Sequence, residues 1–317
     1  MPRHAFHVED RERHDWTVMF RELFQQSGLS LERLQTFCLV AGAGGVTKAA
    51  NGDVNAQSLY SRQIKELEEF FGTALVQRSG RGIVLTRAGK DLATLAREHL
   101  SALSDFRLEC VRRPQQVTLA AGDSLMRWLV LPRCNRLRAE FPDTSFVFLN
   151  LQSEEILRRL HEGSVDFGIV RDSGSFEMLA RAPLGVLRYA LFTRKPKLPK
   201  ENLASVLKEQ ALATIEGDGN FKRGLAALFK AGGCKTRIDV ECASFPLVAH
   251  VAASWDYAAV LPEPAESEMS ALGFRKVESK ELRSLDRKLA FVSNNRTLRI
   301  RPRLSKLRAA LIAQLKA

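Results

Sequence analysis

The sequence predicts two unlike parts in one chain, an all-α N-terminal part and a larger α/β part joined by one long helix. Three observations predict it. Residues 30–71 hold apolar stripes of helical period punctuated by glycines, residues 88–111 hold one long stripe, and from Val117 onward short strand-like runs alternate with helical patterns. A length of 317 residues agrees with two or three domains. Hydrophobic residues at 45% and charged residues at 26%, with no low-complexity tract, exclude wholesale disorder and a disulfide mini-protein.

Residues 1–28 open polar and turn amphipathic at Trp16, Met19, Phe20, Leu23 and Phe24, which reads as an extra helix ending at Gly28. The charged start lacks an apolar segment, and nowhere do about 18 apolar residues run together. The expectation is a cytoplasmic protein with no membrane contact. From Ser30, the residues Leu31, Leu34, Phe37, Cys38 and Val40 share a helical face, stopped by Gly42, Gly44 and Gly45. A short helix follows over 47–51 with Thr47 as N-cap, then a tight turn at Gly52. A third helix runs from about Asn55 to Phe71, with Tyr60, Ile64, Leu67 and Phe71 as its buried stripe and Gly72 as its stop.

Two helices and a turn followed by a longer helix form helix-turn-helix grammar. Opposite the buried stripe the third helix presents Gln57, Ser58, Ser61, Arg62 and Lys65, all hydrogen-bonding side chains. In a major groove, Gln57, Ser58 and Arg62 suit base edges, while Thr47, Ser61 and Lys65 suit phosphates. Residues 75–78 and 82–85 read as two strands around a basic tip, a wing whose Arg78 and Arg81 suit the DNA backbone or a minor groove.

Net charge is +12. Its location matters more than its size. Residues 1–113 hold 16 Lys/Arg against 14 Asp/Glu, residues 114–274 hold 19 against 19, and residues 275–317 hold 13 against 3. The excess is C-terminal, so the DNA-reading expectation rests on the helix-turn-helix and not on bulk charge.

The run Leu34-Gln35-Thr36-Phe37, Val46-Thr47-Lys48-Ala49-Ala50, Gln57 through Glu68, Phe71-Gly72-Thr73-Ala74-Leu75, Gln77-Arg78 and Leu85-Thr86-Arg87-Ala88-Gly89 resembles the LysR-type transcriptional regulators in order and spacing. Gly163 through Val170 and Ala258-Ala259-Val260-Leu261-Pro262 resemble that family's effector domain. The likeness covers about residues 30–317. This chain departs from the pattern at Asp53, where members carry a buried Leu, and at Ala56, where a Ser is common; Asp53 or Asn55 would cap the recognition helix instead. The resemblance implies a dimerising linker helix and a two-lobed, periplasmic-binding-protein-like (type 2) effector domain.

Residues 88–111 carry Leu92, Leu95, Ala96, Leu100, Leu103, Phe106 and Cys110 on the linker helix. Beyond it come a strand over 117–121, a helix over 125–139, a strand over 145–149, a helix over 153–161 and a strand over 166–170, read as a largely parallel sheet. A crossover near 185–193 leads to a second block: strand 212–215, helix 220–231, strand 236–240, helix 244–254, strand 257–261. A return over 288–293 and a final helix over 301–316 close the chain. The predicted division is therefore extension 1–28, winged helix-turn-helix 29–88, linker 89–113 and effector domain 114–317, with lobe I at about 114–190 and 288–317 and lobe II at about 191–287.

Ligands of open α/β sheets sit beyond the carboxyl ends of strands, where helix N-termini converge. Asp123, Ser124, Ser153, Arg171, Glu216, Ser244 and Phe245 stand at such points. Arg171 could supply a countercharge to an anion, Asp123 and Glu216 one to an amine, and the three serines could equally be ordinary N-caps. Enzymatic readings find no support: the six histidines lack metal-ligand or nucleophile spacing, no phosphate-loop or dinucleotide fingerprint occurs, and the five cysteines form no C-x-x-C. No cofactor is expected, and a redox pair of Cys234 and Cys242 is a minor alternative. The function expected is a sequence-specific DNA-binding regulator whose partners are double-stranded DNA, a small-molecule effector, further copies in a homodimer or homotetramer, and RNA polymerase. The alternative, prompted by Asp53 and Ala56, is a cytoplasmic small-molecule-binding sensor module that has lost specific DNA recognition.

Overall fold

A computed structural model describes residues 20–316, apart from 80, 81, 112, 113, 173, 175, 177, 178, 198–202, 218 and 232–236. The chain divides into two compact units between Ser104 and Asp105. The first contains α1 (Arg21–Gln25), α2 (Leu31–Ala43), α3 (Val46–Ala49), α4 (Val54–Phe71), β1 (Val76–Ser79) and β2 (Gly82–Leu85). Ser30 caps α2 by accepting from the Arg33 N–H, and Gly44 ends it in the left-handed conformation. Phe37, Val40, Ile64, Leu67, Leu75 and Ala93 are buried together as the core of this unit.

Two local expectations are corrected here. Thr47 lies inside α3, which Gly45 begins, because the left-handed turn at Gly44 brings the chain into the helix one residue earlier. Phe71 is 38% exposed and Gln63 takes its place in the buried face of α4, where its amide donates to Glu32 at 3.0 Å. The described part of the N-terminal extension is α1, and the expected stripe residues Trp16 and Met19 lie outside the described residues.

The linker helix α5 (Arg87–Cys110) spans 24 residues, a length of about 36 Å. Ala93 and Ala96 are buried whereas Leu103 and Phe106 are exposed, so its apolar stripe is covered only in its first half.

The second unit carries two five-stranded sheets. The first has the order β4-β3-β5-β12-β6, from β3 (Gln115–Ala121), β4 (Thr144–Asn150), β5 (Phe167–Arg171), β6 (Leu179–Leu187) and β12 (Arg287–Asn294). The second has the order β11-β7-β10-β8-β9, from β7 (Tyr189–Thr193), β8 (Leu212–Ile215), β9 (Ile238–Cys242), β10 (Ala258–Pro262) and β11 (Arg275–Val277). The chain passes between them at Arg188 and again between Val277 and Arg287. The expectation of largely parallel sheets is half right. β4-β3-β5 and β9-β8-β10 are parallel, but β12 runs antiparallel to β5 and β6, and β7 antiparallel to β10 and β11. Each lobe closes its parallel core with strands belonging to the crossings, and those strands come without the intervening helix that a parallel neighbour needs.

Helices cover both faces of the first sheet. They are α6 (Asp123–Leu125), continued by a π turn (Met126–Val130) into α7 (Leu131–Glu140), then α8 (Ser153–His161), α13 (Asn295–Ile300) and α14 (Pro302–Leu315). Val117, Leu119, Phe167, Ile169 and Phe291 share one core with Leu137 of α7 and with Leu304, Leu307 and Leu311 of α14, whereas Ala120, Val170, Ala290 and Val292 share another with Ile156 and Leu160 of α8. That partition is the period-2 alternation of strands buried on both sides. Gly168 allows α8 its close approach, since a Cβ there would lie 2.3 Å from Ile156 Cγ2. The second sheet is flanked by α9 (Leu203–Glu209), α10 (Asn220–Ala231), α11 (Phe245–Trp255) and α12 (Glu266–Ala271).

Candidate nucleic-acid interface and effector-binding strand ends

The recognition helix begins with a cap that the sequence makes unusual. Asp53 accepts from the Asn55 N–H at 2.8 Å and from the Ala56 N–H at 3.1 Å, so two of the unsatisfied first-turn donors are met by one carboxylate. Asn51 and Gly52 hold positive φ in the preceding turn. The departure at Asp53 thus rebuilds the turn and leaves α4 intact.

Polar ties fix the orientation of α4. Glu66 pairs with Arg33 of α2, Gln63 donates to Glu32, and Glu68 accepts from the N–H groups of Leu75 at 2.8 Å and Val76 at 3.1 Å. The last tie couples the helix directly to β1. On the outer face Ser58, Ser61, Arg62 and Lys65 are exposed and Gln57 is half-buried. Arg62 and Lys65 approach Glu66 and Glu69 at only 3.8 and 3.7 Å with about three-quarters of their surface free, so both cations remain available to phosphate or base oxygens. Ser58 donates to the Val54 carbonyl at 3.1 Å, leaving its oxygen as an acceptor.

Val54 belongs to the same face. Reading the helix as starting at Asn55 hides it, yet 54, 57, 58, 61, 62 and 65 follow the three-and-four spacing, and Val54 is 72% exposed. An apolar side chain there suits a thymine methyl. Thr47 and Arg78 are exposed on α3 and β1. β1 and β2 pair antiparallel with Val76 opposite Leu85, the expected hairpin; its tip residue Arg81 lies outside the described residues. Behind the hairpin Thr86 accepts from the Gly89 N–H at 3.0 Å and donates to the Ala74 carbonyl at 2.7 Å, which seats α5 against it.

At the strand ends of the second unit, the seven expected residues fall into linked groups. Asp123 and Ser124 open α6 after β3, and α6 packs against α11, whose N-cap Ser244 accepts from the Leu247 N–H at 3.4 Å. Ser124 and Ser153 are not caps: Gly122 and Gln152 occupy those positions, neither with a side-chain cap bond. Ser153 accepts instead from the Arg171 N–H at 3.4 Å, joining α8 to β5. Arg171 is the last residue of β5 and not a loop residue past it, paired opposite Leu289. Glu216 is exposed beyond β8.

Tyr189 ties these groups together and was not visible in the sequence as a site residue. Its ring lies 5.7 Å from Phe245 and 4.9 Å from Phe221, which meets Phe245 edge-on at 4.9 Å. Burial pushes its phenol above the usual tyrosine range while Arg171 pulls the other way, placing that guanidinium within electrostatic reach. Thr214, two residues before Glu216, has a hydroxyl that is buried without a hydrogen-bond partner among the described residues. Cys242 is buried, and its thiol is pushed up by burial and then by Glu216, which disfavours the thiolate a redox sensor needs; Cys234 lies outside the described residues. Among the described residues no group of three His, Cys, Asp or Glu is placed to hold a metal ion, and no helix is long and apolar enough to cross a membrane.

Comparison with known proteins follows the same division. Residues 31–90 match the model of the bacterial regulatory helix-turn-helix proteins of the lysR family, and residues 112–316 match the LysR substrate binding domain. An uncharacterised HTH-type transcriptional regulator, YfeR of Shigella flexneri, is 33% identical over 150 residues, 46% of this chain and 48% of that protein. A probable nitrogen assimilation transcriptional activator of Synechococcus elongatus is 32% identical over 149 residues, 46% of this chain and 48% of that protein. The chain spans about half the length of these curated relatives. Among solved structures, ArgP of Mycobacterium tuberculosis superposes with a TM-score of 0.63 at 18% identity, covering 89% of this chain and 96% of that one. Full-length LysG of Corynebacterium glutamicum with bound effector Arg gives 0.61 at 17% identity, covering 90% and 98%. At such identities the two superpositions speak for the fold.

Proposed function

Since the chain belongs to the LysR family of bacterial regulatory helix-turn-helix proteins, we propose that it is a cytoplasmic, sequence-specific DNA-binding transcriptional regulator and not an enzyme. The observation that carries this reading is the outer face of α4, where Val54, Gln57, Ser58, Ser61, Arg62 and Lys65 stand in phase beside an antiparallel hairpin. Gln57, Ser58 and Arg62 take base edges; Thr47, Ser61, Lys65, Arg78 and Arg81 take the backbone and minor groove. The uncovered half of α5, with Leu103 and Phe106 exposed, supports pairing of two copies into a homodimer or homotetramer. Residues 29–88 act as the reader, 89–113 as the dimerising linker and 114–317 as the two-lobed effector domain.

A small-molecule effector sits at the strand ends bearing Asp123, Ser124, Ser153, Arg171, Glu216, Ser244 and Phe245, and shifts the arrangement of copies on DNA, with RNA polymerase as the downstream partner. Supporting this, Arg171 has no ion-pair partner among the described residues and acts electrostatically on the Tyr189 phenol, whose ring lies 5.7 Å from that of Phe245. The deciding experiment is a salt-titrated anisotropy assay against DNA upstream of its own gene with scrambled duplex as competitor. Binding that survives competitor establishes the regulator; sequence-blind binding on a genome-wide fragment pool as well would overturn it in favour of the sensor module.

A further inference from the structure

The first lobe distributes its charge unevenly between its two covered faces. On α8 the charges neutralise one another: Glu155 takes Arg158 and Arg159, Arg158 also takes Glu162, and those arginine hydrogen bonds lower the Glu155 carboxyl to about 2. The opposite face is different. α7 and α14 pack against each other over the sheet, and with α13 they expose Arg136, Arg138, Arg299, Lys306 and Lys316. Among the described residues none of these five has a carboxylate within 4.0 Å. No Asp or Glu occurs anywhere in 295–316, and Glu140 is the sole acid of α7. Three of the five, Arg299, Lys306 and Lys316, belong to the C-terminal charge excess of the chain.

Cations crowded on neighbouring helices repel one another within a Debye length of about 8–10 Å, and a polyanion relieves that repulsion while releasing its own counterions. Leu131, at the start of α7, is the one large apolar side chain that α7, α13 and α14 expose among the described residues. A protein partner ordinarily needs a cluster of buried apolar or aromatic anchors, whereas phosphate contacts need only cations. We infer that the α7–α14 face of the first lobe is a second, sequence-independent contact for the phosphate backbone of duplex DNA. The inference rests on the regulator reading, because the polyanion presented at high effective concentration is the duplex already held by the same chain. A duplex long enough to reach beyond the recognition helix is then held at two places.

The test uses the full chain and duplexes of arbitrary sequence, one of about 20 and one of about 60 base pairs, with anisotropy titrations across a salt series. For wild-type protein the slope of log Kobs against log salt is steeper on the long duplex, by about 0.9 for each added phosphate contact. The triple variant Arg136→Gln, Arg299→Gln, Lys306→Gln matches wild type on the short duplex and loses the excess on the long one. A triple variant that keeps the wild-type slope on the long duplex overturns the inference, as does an equal loss on both lengths. A changed oligomer mass with unchanged slopes assigns the face to another copy of the chain and overturns it too. Failure of the regulator reading looks different: wild-type protein then shows no sequence preference on the fragment pool, an outcome that the slopes on these two duplexes of arbitrary sequence do not report.

Discussion

Trp128 donates its indole N–H to the Glu268 carboxylate at 2.9 Å, and the neighbouring Arg127 grips the same carboxylate through two bonds of 2.9 and 3.1 Å. The π turn Met126–Val130 carries both donors, and its extra residue per turn lets consecutive side chains converge on one acceptor. Glu268 lies on α12 of the second lobe, and the Trp128 ring is buried in that lobe's core with Phe192, Val248 and Met269. The helix that follows the first strand of lobe I thus anchors itself in lobe II.

Glu268→Gln tests that anchor through pH. The Arg127 hydrogen bond, and then that of Trp128, holds the Glu268 carboxyl below the usual glutamate range despite its partial burial. A folded pKa below the unfolded one means a stabilisation that is complete above the unfolded value of about 4.3 and is lost as pH falls through the folded value. Urea titrations of wild type lose stability over that acid window; in Glu268→Gln this component is absent, and the two curves converge at low pH. Curves that stay parallel would show that the carboxylate contributes nothing across the lobes.

Asp53→Ala should cost about 1 kcal/mol, because both the Asn55 and Ala56 N–H groups lose their acceptor. Asp53→Ser should retain most of that stability. The measurement is the thermal midpoint of the N-terminal unit read by amide hydrogen exchange over α4. Equal exchange in wild type and Asp53→Ala would mean that the turn is held by Asn51 and Gly52 alone.

This cap also illustrates what the sequence makes legible. Three-and-four spacing located α4 and its outward face, since burial of Ile64 and Leu67 leaves no other orientation. Its first residue was misplaced, and with it Val54, because the start of a helix depends on which short polar side chain captures the free N–H groups, a choice among Asp53 and Asn55 that periodicity does not make. β6 and β11 were not anticipated for a related reason. β6, Leu179–Leu187, takes its order from pairing with β12 more than a hundred residues later, and no local pattern announces a partner so distant. The strand-end serines were readable as positions but not as partners, since the bond from the Arg171 N–H to Ser153 depends on how α8 lies over β5.

Arg62→Ala should weaken discrimination between operator and scrambled duplex with no change in stability beyond a few tenths of a kcal/mol, its guanidinium being exposed and only loosely paired at 3.8 Å. Each well-made bidentate base contact is worth about 1–3 kcal/mol, a factor of roughly 5 to 150 in the ratio of affinities. Footprints identical to wild type would remove Arg62 from the base-reading set.

Gly89→Ala should destabilise the seat of the linker helix. A Cβ at that position would lie 2.0 Å from the Leu75 carbonyl oxygen, a backbone atom that cannot swing aside. The helix must lift from β1 and strain the Thr86 bonds to Gly89 and Ala74, at a cost of about 1–3 kcal/mol. Urea denaturation reads the loss, and an unchanged midpoint would mean that α5 is free to shift without consequence.

Arg301 joins three segments of the second unit, and its replacement gives the largest expected effect. Only 8% exposed, it pairs with Asp105 at the end of α5 and with Asp166 before β5, while Asp166 also accepts from the Thr118 N–H at 2.8 Å. Arg301→Leu leaves the buried Asp166 and the partly buried Asp105 without their cation, at a cost of about 3–5 kcal/mol. Burial already raises the Asp166 carboxyl above the usual aspartate range, with Arg301 as the strongest opposing pull, so removing that pull raises it further. A folded pKa above the unfolded one makes stability greatest below the unfolded value and lowers it as pH rises through the folded value. The deficit of Arg301→Leu should therefore be larger near neutrality than in acid, where the orphaned Asp166 takes up a proton. Adding Asp105→Asn and Asp166→Asn should recover part of it at neutral pH and flatten that dependence. A deficit independent of pH would mean that Arg301 acts by packing alone, in which case the carboxylates do not fasten the end of α5 to the lobe.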